Sequence, residues 1–284
     1  MPVDDFRGKT CVVTGAASGI GRETALAFAR EAANLALCDL NEEGLEEVCE
    51  LARREGVDAW GARVDVSKRD EMERFAASVH ARVPAVDVLV NNAGVGLGAS
   101  FLDTSLEDWE WILGVNLRGV VYGCHFFLPP MVARGQGGHV VNVASAAAFV
   151  ATEPLCAYAT TKYAVFGLSE ALRQELRRAR IGVTVVCPGI VNTPITRSSA
   201  LRGLYARPGV RERMVEFYRR RNYGPERVAR AIVRAVRKNR AVAPVSPEAW
   251  ILYYAKRFLP SLLEAVSSRQ NERARREFEK LAAT

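Results

Sequence analysis

The sequence predicts an α/β fold, a doubly wound parallel sheet of the Rossmann-like type with helices on both faces. Short aliphatic runs alternate with segments of helical character along most of the chain, which is typical of repeated strand and helix units. A glycine-rich turn joins the first of these units. Such a turn at the end of a parallel strand indicates a ligand site at the carboxyl edge of the sheet.

The size of the chain favours one large domain with a tail. Of its 284 residues, 49% are hydrophobic and 25% are charged, which is enough for one large core. We expect a single α/β domain over residues 1–246 and a basic helical extension over residues 247–284.

Cysteine and histidine usage indicates a reducing compartment and no metal site. The six cysteines lie mostly in or beside apolar runs and form no C-x-x-C pair, and no secretory signal is recognisable at the N-terminus. The three histidines are scattered, and none has metal-ligand spacing with a cysteine or another histidine. We therefore expect a cytoplasmic protein without a metal.

Charge is distributed unevenly along the chain. Residues 1–195 hold 18 Lys and Arg against 24 Asp and Glu, whereas residues 196–284 hold 21 against 8. A basic segment on an acidic body can bind an anionic partner such as a membrane, a nucleic acid or an acidic substrate. A solvated helical surface explains the same pattern, and we rank this interpretation first.

The first unit contains a candidate phosphate-binding turn. A β-branched run over residues 9–14 is followed by glycines and then by a helical pattern to about residue 31. Glycines let the backbone approach a pyrophosphate closely, and the helix N-terminus behind them favours negative charge. The spacing is G-x-x-x-G-x-G and not the commoner G-x-G-x-x-G, so the turn alone is weak evidence. The turn residues expected at a dinucleotide are Gly15, Ser18, Gly19, Ile20 and Gly21.

The end of this first helix is unusual. Residues 31–34 read Glu-Ala-Ala-Asn and lack the glycine that commonly takes the left-handed conformation after a helix. We expect either local strain of about 1 kcal/mol or a different helix ending.

An acidic residue closes the second predicted strand, residues 34–39. Asp39 lies about twenty residues beyond the glycines, where a carboxylate accepts hydrogen bonds from the adenosine ribose hydroxyls. A 2′-phosphate would meet like charge there, and neither Ser18 nor the Leu40-Asn41 pair supplies an offsetting base. The sequence therefore predicts NAD as the cofactor, although Asp39 as an ordinary helix N-cap is the alternative.

The middle of the chain continues the alternation of strands and helices. Residues 95–98 are too glycine-rich for regular structure and are expected to form a loop over a ligand. Pro129 and Pro130 should kink the helix that contains them or end it early. The predicted strands are 57–64, 86–90 and 138–143, and the predicted helices are 68–82, 105–113 and 116–134.

A phenol and an ammonium are spaced to act together. Tyr158 and Lys162 are four residues apart in a segment of helical character, which places them on one helix face. Ser145 closes the strand at 138–143, where a parallel sheet delivers side chains to its ligand edge. A neighbouring cation lowers the pKa of a tyrosine toward working pH, so the three residues could share one substrate oxygen.

These motifs, in this order, resemble the short-chain dehydrogenase/reductase family in its shorter, single-domain form. The matches span roughly residues 6 to 195, and the interval from Ser145 to Tyr158 adds specificity to motifs that are individually weak. The matching residues are Thr14-Gly15-x-x-x-Gly19-Ile20-Gly21, Asp39, Asp65-Val66, Asn91-Asn92-Ala93-Gly94, Asn116, Ser145, Tyr158-x-x-x-Lys162 and Pro188-Gly189-x-x-x-Thr193.

The resemblance implies a role for each catalytic position. Tyr158 would be the acid/base, Lys162 would lower its pKa and bind the nicotinamide ribose, and Ser145 would hold the substrate oxygen. Asn116 would anchor a water relay through Lys162, although a cap or turn residue is its simpler interpretation.

The resemblance also implies a set of cofactor contacts within a dinucleotide-binding and catalytic domain, residues 1–246. The contacts beyond the glycine turn and Asp39 would come from Asp65, Val66, Asn92, Ala93, Gly94, Tyr158, Lys162, Pro188, Gly189, Ile190 and Thr193, with Ile190 and Thr193 at the nicotinamide carboxamide.

The expected substrate is a hydrophobic secondary alcohol or its ketone. Mainly apolar residues follow both Ser145 and the strand before Pro188, which favours an apolar pocket. Arg197, Arg202 and Arg207 allow an anionic substrate as the alternative. A non-catalytic NAD-binding or NAD-sensing protein would share the glycine turn but does not need Ser145, Tyr158 and Lys162 together.

The C-terminal part departs from the commonest ending of the family. Helices at 209–221 and 225–238 precede a strand at 241–245, an aromatic amphipathic segment at 247–260 and a polar helix to residue 284. No apolar run approaches the roughly 20 residues of a membrane span. We expect this extension to pack on another subunit, with peripheral membrane contact as the second interpretation.

The resemblance further implies a homodimer or homotetramer. Pairing would use the helices at 116–134 and 155–179. Nucleic acid is not an expected partner, because the basic tail occurs without a recognised nucleic-acid fold.

Overall fold

The computed structural model describes residues 3–281 and is built around a seven-stranded parallel sheet, as predicted. The strands are β1 (Thr10–Thr14), β2 (Asn34–Asp39), β3 (Ala59–Arg63), β4 (Val88–Asn91), β5 (Leu97–Gly98), β6 (Gly138–Val143), β7 (Ile181–Pro188), β8 (Ala200–Leu201) and β9 (Val242–Val245). The large sheet has the order β3-β2-β1-β4-β6-β7-β9, and every pairing in it is parallel. From β1 the strands are added toward one edge of the sheet, to β3, and from β4 toward the other edge, to β9. This switch in strand order between β1 and β4 leaves a crevice at the carboxyl edge.

Helices cover both faces of this sheet. They are α1 (Gly19–Ala29), α2 (Glu42–Arg54), α3 (Arg69–His80), α4 (Leu106–Leu113), α5 (Gly119–Arg134), α6 (Cys156–Glu175), α7 (Ile195–Ser198), α8 (Val210–Arg221), α9 (Pro225–Arg237), α10 (Pro247–Phe258) and α11 (Pro260–Leu281). A π-helical turn, Gly114–Arg118, joins α4 to α5, and the 3₁₀ turn Ala146–Ala148 follows β6.

The two faces bury separate apolar layers. One layer contains Phe28 of α1 and Ile232 of α9, and the other contains Phe75 of α3, Phe127 of α5 and Val165 of α6. Strands with both sides covered read as continuous apolar runs, which is why β4, β6 and β7 are buried along their whole length. This arrangement confirms the predicted fold class.

Two local predictions in the middle of the chain need correction. Residues 95–98 are not entirely irregular, because β5 pairs in parallel with β8 about a hundred residues later in sequence. The helix with Pro129 and Pro130 does not end early, because α5 continues to Arg134 and stops at Gly135, which has a φ of 67°; the alternative, a kink at the prolines, stays a prediction.

The first helix ends through a strained alanine. Ala32 has a φ of 61°, its N–H donates to the Ala29 carbonyl, and the Ala33 N–H donates to the Phe28 carbonyl. These two bonds form the usual glycine-dependent helix ending with alanine in the glycine position. Of the two expected outcomes, local strain is therefore the one found, because a Cβ in this conformation costs about 1 kcal/mol or more.

One helical stretch in the middle of the chain is long and apolar. The continuous helix from Leu106 to Arg134 has 29 residues and a window of mean hydropathy 1.2, enough by length and composition to cross a membrane. Half of that window is buried inside the fold, and a buried core helix meets the same criteria of length and composition. The expectation that no apolar run of the C-terminal part approaches a membrane span is not affected, because this helix lies before residue 195.

The C-terminal extension folds as α10 and α11, to the last described residue, 281. Residues 282–284 of the predicted polar helix lie outside the described part of the chain. A domain boundary between residues 246 and 247 stays a prediction.

Candidate active site

The glycine turn is a close-packed cradle at the end of β1. A Cβ on Gly21 would lie 1.9 Å from the Gly15 carbonyl oxygen, and one on Gly15 would lie 2.7 Å from the Ala93 Cα. Gly15 and Gly19 also have φ of 66° and 54°, where side chains are unfavourable. Glycine is therefore required at these positions for the turn to close.

The N-terminus of α1 faces this turn with its backbone donors uncapped. Ser18 is the N-cap residue, yet its side chain makes no capping hydrogen bond. Free N–H groups at a helix N-terminus favour an anion, and a glycine turn lets the backbone approach one closely. The predicted turn residues Gly15, Ser18, Gly19, Ile20 and Gly21 thus lie together and fit a dinucleotide.

Residues after β4 brace the cradle. The Asn92 Nδ2 donates to the carbonyl oxygens of Thr14 at 3.0 Å and Gly15 at 3.1 Å. The Thr14 Oγ1 accepts hydrogen bonds from the N–H groups of Asn92 and Ala93, both at 3.0 Å. Four hydrogen bonds therefore hold the glycine turn against the start of the predicted Asn92–Gly94 segment.

Asp39 is joined to the glycine turn. Its carboxylate accepts hydrogen bonds from the Ala17 N–H at 2.9 Å and the Asn41 N–H at 3.0 Å. It is not the N-cap of α2, since Asn41 occupies that position and accepts from the Gly44 N–H. The carboxylate is thus fixed beside the cradle, where a ribose hydroxyl would reach it.

Asp65 and Val66 lie after β3 on the same edge. Asp65 accepts from the N–H of Ser67 at 2.9 Å and from its hydroxyl at 2.7 Å, which fixes the turn. Val66 packs against Gly119, where a Cβ would lie 2.9 Å from it. The turn therefore presents a rigid side to the crevice.

Asn116 is buried in the π-helical turn between α4 and α5. Its Oδ1 accepts the Val95 N–H at 2.8 Å, and its Nδ2 donates to the Val95 carbonyl at 3.0 Å and the Thr161 Oγ1 at 3.2 Å. A π turn adds a residue to the helix and is frequent at functional sites. Asn116 is thus no helix cap but a tie between the loop after β4 and helix α6.

Ser145, Tyr158 and Lys162 meet at the carboxyl end of β6. The Ser145 Oγ accepts the Ala147 N–H at 3.1 Å and also bonds the Tyr158 phenol. The Lys162 Nζ donates to the Val143 carbonyl at 3.1 Å and lies 5.6 Å from the centre of the Tyr158 ring. Lys162 and Asn116 flank Gly94, where a Cβ would lie 3.5 Å and 3.3 Å from their polar atoms.

Burial dominates the ionisation of these groups. It raises the pKa of Tyr158 to about 12, against the opposing hydrogen bond with Ser145, and lowers the pKa of Lys162 to about 8. The sequence-based expectation was a Tyr158 pKa lowered by Lys162. The direction found is the opposite, because a buried phenolate would be poorly solvated.

The loop after β7 faces the glycine turn across the crevice. A Cβ on Gly19 would lie 3.4 Å from the Thr193 Cβ. Three of the loop N–H groups are engaged: Gly189 with the Val245 carbonyl, Ile190 with Glu248 and Asn192 with the Tyr223 carbonyl. Within the described residues, the Val191 N–H has no hydrogen-bond partner.

Sequence reasoning missed Glu248 and Val191. Glu248 belongs to α10, 58 residues after Ile190, so no local motif signals the contact. The N–H of Ile190 donates to Glu248 at 2.9 Å, so the carboxamide contact expected of Ile190 stays a prediction for its remaining atoms. Pro188 and Gly189 remain in the wall, with Pro188 at the end of β7.

The apolar residues proposed for a substrate pocket divide into two groups. The buried ones pack the domain, and Phe149 contacts Phe166 and Tyr253. Arg202 is committed to Asp108, with bonds of 2.7 and 3.0 Å. The buried residues are Ala146, Ala147, Ala148, Phe149 and Tyr205, whereas Leu155, Ile190, Ile195, Leu201 and Leu204 are partly exposed.

Comparison with known proteins gives the same picture as this geometry. The family model described as short chain dehydrogenase matches residues 9–202. A Burkholderia phymatum short chain dehydrogenase/reductase, solved in complex with NAD, has a TM-score of 0.81 and 30% identity; the alignment covers 92% of this chain and 96% of that one.

Two mycobacterial relatives are more similar in sequence. "Probable oxidoreductase EphD" of Mycobacterium tuberculosis is 44% identical over 272 residues, 92% of this chain, but this chain spans only 45% of EphD. SadH of the same organism is 37% identical over 251 residues, covering 87% of this chain and 89% of SadH. The chain therefore belongs to the short-chain dehydrogenase/reductase family of oxidoreductases, with the NAD(P)-binding fold of that family.

Proposed function

We propose that this protein is an NAD-dependent oxidoreductase that interconverts a hydrophobic secondary alcohol and its ketone. The observation that carries the proposal is the grouping of Ser145, Tyr158 and Lys162 at the edge of the sheet that also holds the glycine turn. A proton-transfer group beside a dinucleotide cradle is what hydride exchange with a carbonyl carbon requires.

The cradle and Asp39 would hold NAD. Asp39 keeps a carboxylate oriented by two N–H bonds, and this favours ribose hydroxyls over a 2′-phosphate. When bound, NAD would take or return a hydride at nicotinamide C4. Thr193 and the unpaired Val191 N–H are the loop groups best placed for the carboxamide, in place of the Ile190 N–H. Asp65, Val66, Asn92, Ala93 and Gly94 would line the rest of the cleft.

Tyr158 would move the proton. With its pKa at about 12, the phenol is protonated at neutral pH and suited to donate to a ketone oxygen, which Ser145 would orient. Taking a proton from an alcohol requires a more stable phenolate. Lys162 remains largely an ammonium at neutral pH, with a pKa of about 8, and would stabilise that phenolate from beside the ring.

An apolar substrate is the better fit to the open part of the site. Apolar surface is offered by the partly exposed side chains of Leu155, Ile195, Leu201 and Leu204. Arg202 is paired with Asp108, so one of the three arginines considered for binding an anionic substrate is already engaged. Arg197 and Arg207 are exposed, so a carboxylate- or phosphate-bearing substrate stays as the second candidate.

The test is a screen of secondary alcohols with NAD and with NADP, on the wild type and on Tyr158→Phe. We expect turnover with NAD, and a loss of about 10²- to 10⁴-fold in Tyr158→Phe with NAD affinity unchanged, because only the proton transfer is removed. Tyr163→Phe, on the exposed side of the same helix, is the matched control.

Each outcome of that screen separates the candidates. Unchanged turnover in Tyr158→Phe would contradict the acid/base assignment, and a preference for NADP would contradict the Asp39 argument. Tight NAD binding with no turnover on any alcohol or ketone would favour the NAD-sensing alternative.

We also propose self-association through α5 and α6. Val121 and Val132 of α5 and Tyr163 of α6 are apolar side chains exposed to between 37% and 43%, as expected of a surface that pairs. Light scattering on the purified protein distinguishes a monomer from a homodimer or homotetramer.

We further propose a cytoplasmic location for the protein, with peripheral membrane contact through the C-terminal extension as the second interpretation of that segment. Its outward face exposes Ile251, Phe258 and Leu262 to more than half of their area. Vesicle co-sedimentation with and without residues 247–284 tests this contact, and absence of binding in both forms would exclude it.

A further inference from the structure

We infer that Glu248, in the C-terminal helix α10, is a positioning residue for the loop 189–193 that forms one wall of the dinucleotide cleft. The inference deepens the proposed function and depends on it, because it assigns that loop to the nicotinamide end of NAD. It gives the C-terminal extension a part in the cofactor site, in addition to any surface contact.

The carboxylate of Glu248 joins three segments that are distant in sequence. Its Oε1 accepts the Ile190 N–H at 2.9 Å, and its Oε2 pairs with the Arg221 guanidinium at the end of α8. The Glu248 side chain is only 22% exposed. One carboxylate thus fixes the loop after β7 relative to both α8 and α10.

The contact between this loop and α10 is tight. A Cβ on Gly189 would lie 2.3 Å from the Ser246 Oγ and 2.5 Å from the Glu248 Oε1. The Gly189 N–H donates to the Val245 carbonyl at 3.0 Å, immediately before α10 begins. The loop backbone therefore rests directly on the first turn of the helix.

The backbone that presents Glu248 is itself strained. Ser246 has φ 105° and ψ 154°, a conformation that is almost restricted to glycine. Its side chain accepts the Ala249 N–H at 3.4 Å and caps α10. Strain of this kind persists where surrounding contacts determine the geometry, and it often marks a functional site.

Glu248 is held in its charged form. Burial raises the pKa of this carboxyl, but hydrogen bonds from the Ile190 N–H, its own N–H, Ser246 and Arg221 outweigh burial, and the net shift is downward. Hydrogen bonds to an ionised acceptor are about twice as strong as neutral ones. The ionised carboxylate therefore restrains the Ile190 peptide more firmly than a neutral side chain would.

The restraint acts on the next residues of the loop. The Ile190 N–H is directed to Glu248 and the Asn192 N–H to the Tyr223 carbonyl, whereas in the described chain the N–H groups of Val191, between them, and of Thr193, after them, have no hydrogen-bond partner. The direction of the Val191 N–H is determined by the two engaged neighbours. Removal of Glu248 would release one of them and loosen the carboxamide contact, while the adenosine end stays intact.

Two more contacts show that the inner face of the extension belongs to the same wall. Tyr253 of α10 packs edge-on against Phe149, just after the 3₁₀ turn that follows Ser145, at 5.3 Å between ring centres. Arg275 of α11 lies 3.7 Å from Glu153, in the loop that leads to Tyr158. The extension thus contacts both loops that flank the proposed site.

The experiment measures NAD and ADP-ribose binding by calorimetry to full-length wild type, Glu248→Ala, Glu248→Gln and Glu264→Ala. ADP-ribose lacks the nicotinamide, so it reports on the cradle and Asp39 alone. We expect Glu248→Ala to weaken NAD binding about tenfold and ADP-ribose binding less than twofold. In Glu248→Gln the amide oxygen still accepts the Ile190 N–H, so the loss should be about threefold.

Glu264→Ala removes an exposed carboxylate of α11 and should bind both ligands like the wild type. Equal NAD affinity in wild type and Glu248→Ala overturns the inference, and so does an equal loss for both ligands, which would indicate general damage. If Glu248→Ala does not fold, Glu248→Gln provides the same comparison. Wild-type protein that binds ADP-ribose but not NAD would contradict the proposed function itself.

Discussion

The two walls of the crevice differ in what holds them. The first wall, residues 14–21 with Asn92 and Asp39, is fixed by backbone conformation and by hydrogen bonds to backbone groups. The second, residues 143–162 and 188–193, depends on the charged or ionisable side chains Lys162, Tyr158 and Glu248. The first wall should therefore be sensitive to added atoms and the second to changes of charge.

The largest effect should come from adding one methyl group to the first wall. In Gly21→Ala the new Cβ would overlap the Gly15 carbonyl at 1.9 Å, so the turn must open or the helix must shift. We expect a loss of about 3 kcal/mol or more in the free energy of unfolding, measured by urea denaturation.

The matched control is another helical glycine. A Cβ added to Gly167 of α6 would meet no atom within 4 Å, so Gly167→Ala should stabilise the protein by about 1 kcal/mol through helix propensity. Similar stability changes in both variants would mean that the glycine turn is less tightly packed than described.

Removal of a charge from the second wall should have the next largest effect on the free energy of unfolding, and this change should be stabilising. Lys162 is 4% exposed and burial lowers its pKa from 10.5 to about 8, so its charged form is costly at pH 7. Lys162→Met should raise the free energy of unfolding by about 2 kcal/mol at pH 7, after allowance for the lost bond to the Val143 carbonyl. Turnover should fall sharply in the same variant.

The effect of Lys162 on stability should depend on pH. Between pH 8 and pH 10.5 the unfolded lysine binds more protons than the folded one, so wild-type stability rises with pH relative to Lys162→Met. The advantage of the variant should be full below pH 8 and vanish by about pH 10.5. Lys238→Met, at an exposed site, should change stability by less than about 0.5 kcal/mol at either pH.

The smallest effect should lie at the far end of the helix that supports the first wall. Ala32→Gly relieves the left-handed conformation at a φ of 61° and should stabilise the protein by about 1 kcal/mol. Ala27→Gly, inside α1, should destabilise it by a similar amount. Thermal unfolding measures the stability of both variants. A destabilising effect of Ala32→Gly would contradict the strain described for Ala32.

Sequence was sufficient where the relevant residues are close along the chain. The glycine turn, Asp39 at the end of the next strand and the Tyr158 and Lys162 pair follow from spacing alone, since a strand, a turn and one helical turn have fixed geometries. The strain at Ala32 was also one of two expected outcomes, because the missing glycine is visible in the sequence.

Sequence was not sufficient where distant segments or burial decide. The contact of Glu248 with Ile190, the pairing of β5 with β8 and the direction of the Tyr158 pKa all depend on tertiary packing. The burial of one tyrosine cannot be inferred from its neighbours in sequence. The sequence-based prediction therefore gave too much weight to the effect of Lys162 on the Tyr158 pKa. The π turn was missed because one added residue hardly alters the apolar pattern of a long helix.

The π turn has a consequence for how this sequence tolerates insertions and deletions. The helix from Leu106 to Arg134 carries two apolar faces, one with Ile112 before the turn and one with Val120 and Phe127 after it. The added residue of the turn offsets these faces by about 100° of helical rotation. A single-residue deletion near Asn116 would leave a more regular helix with its two faces misaligned, so the length of this segment is as restricted as its chemistry.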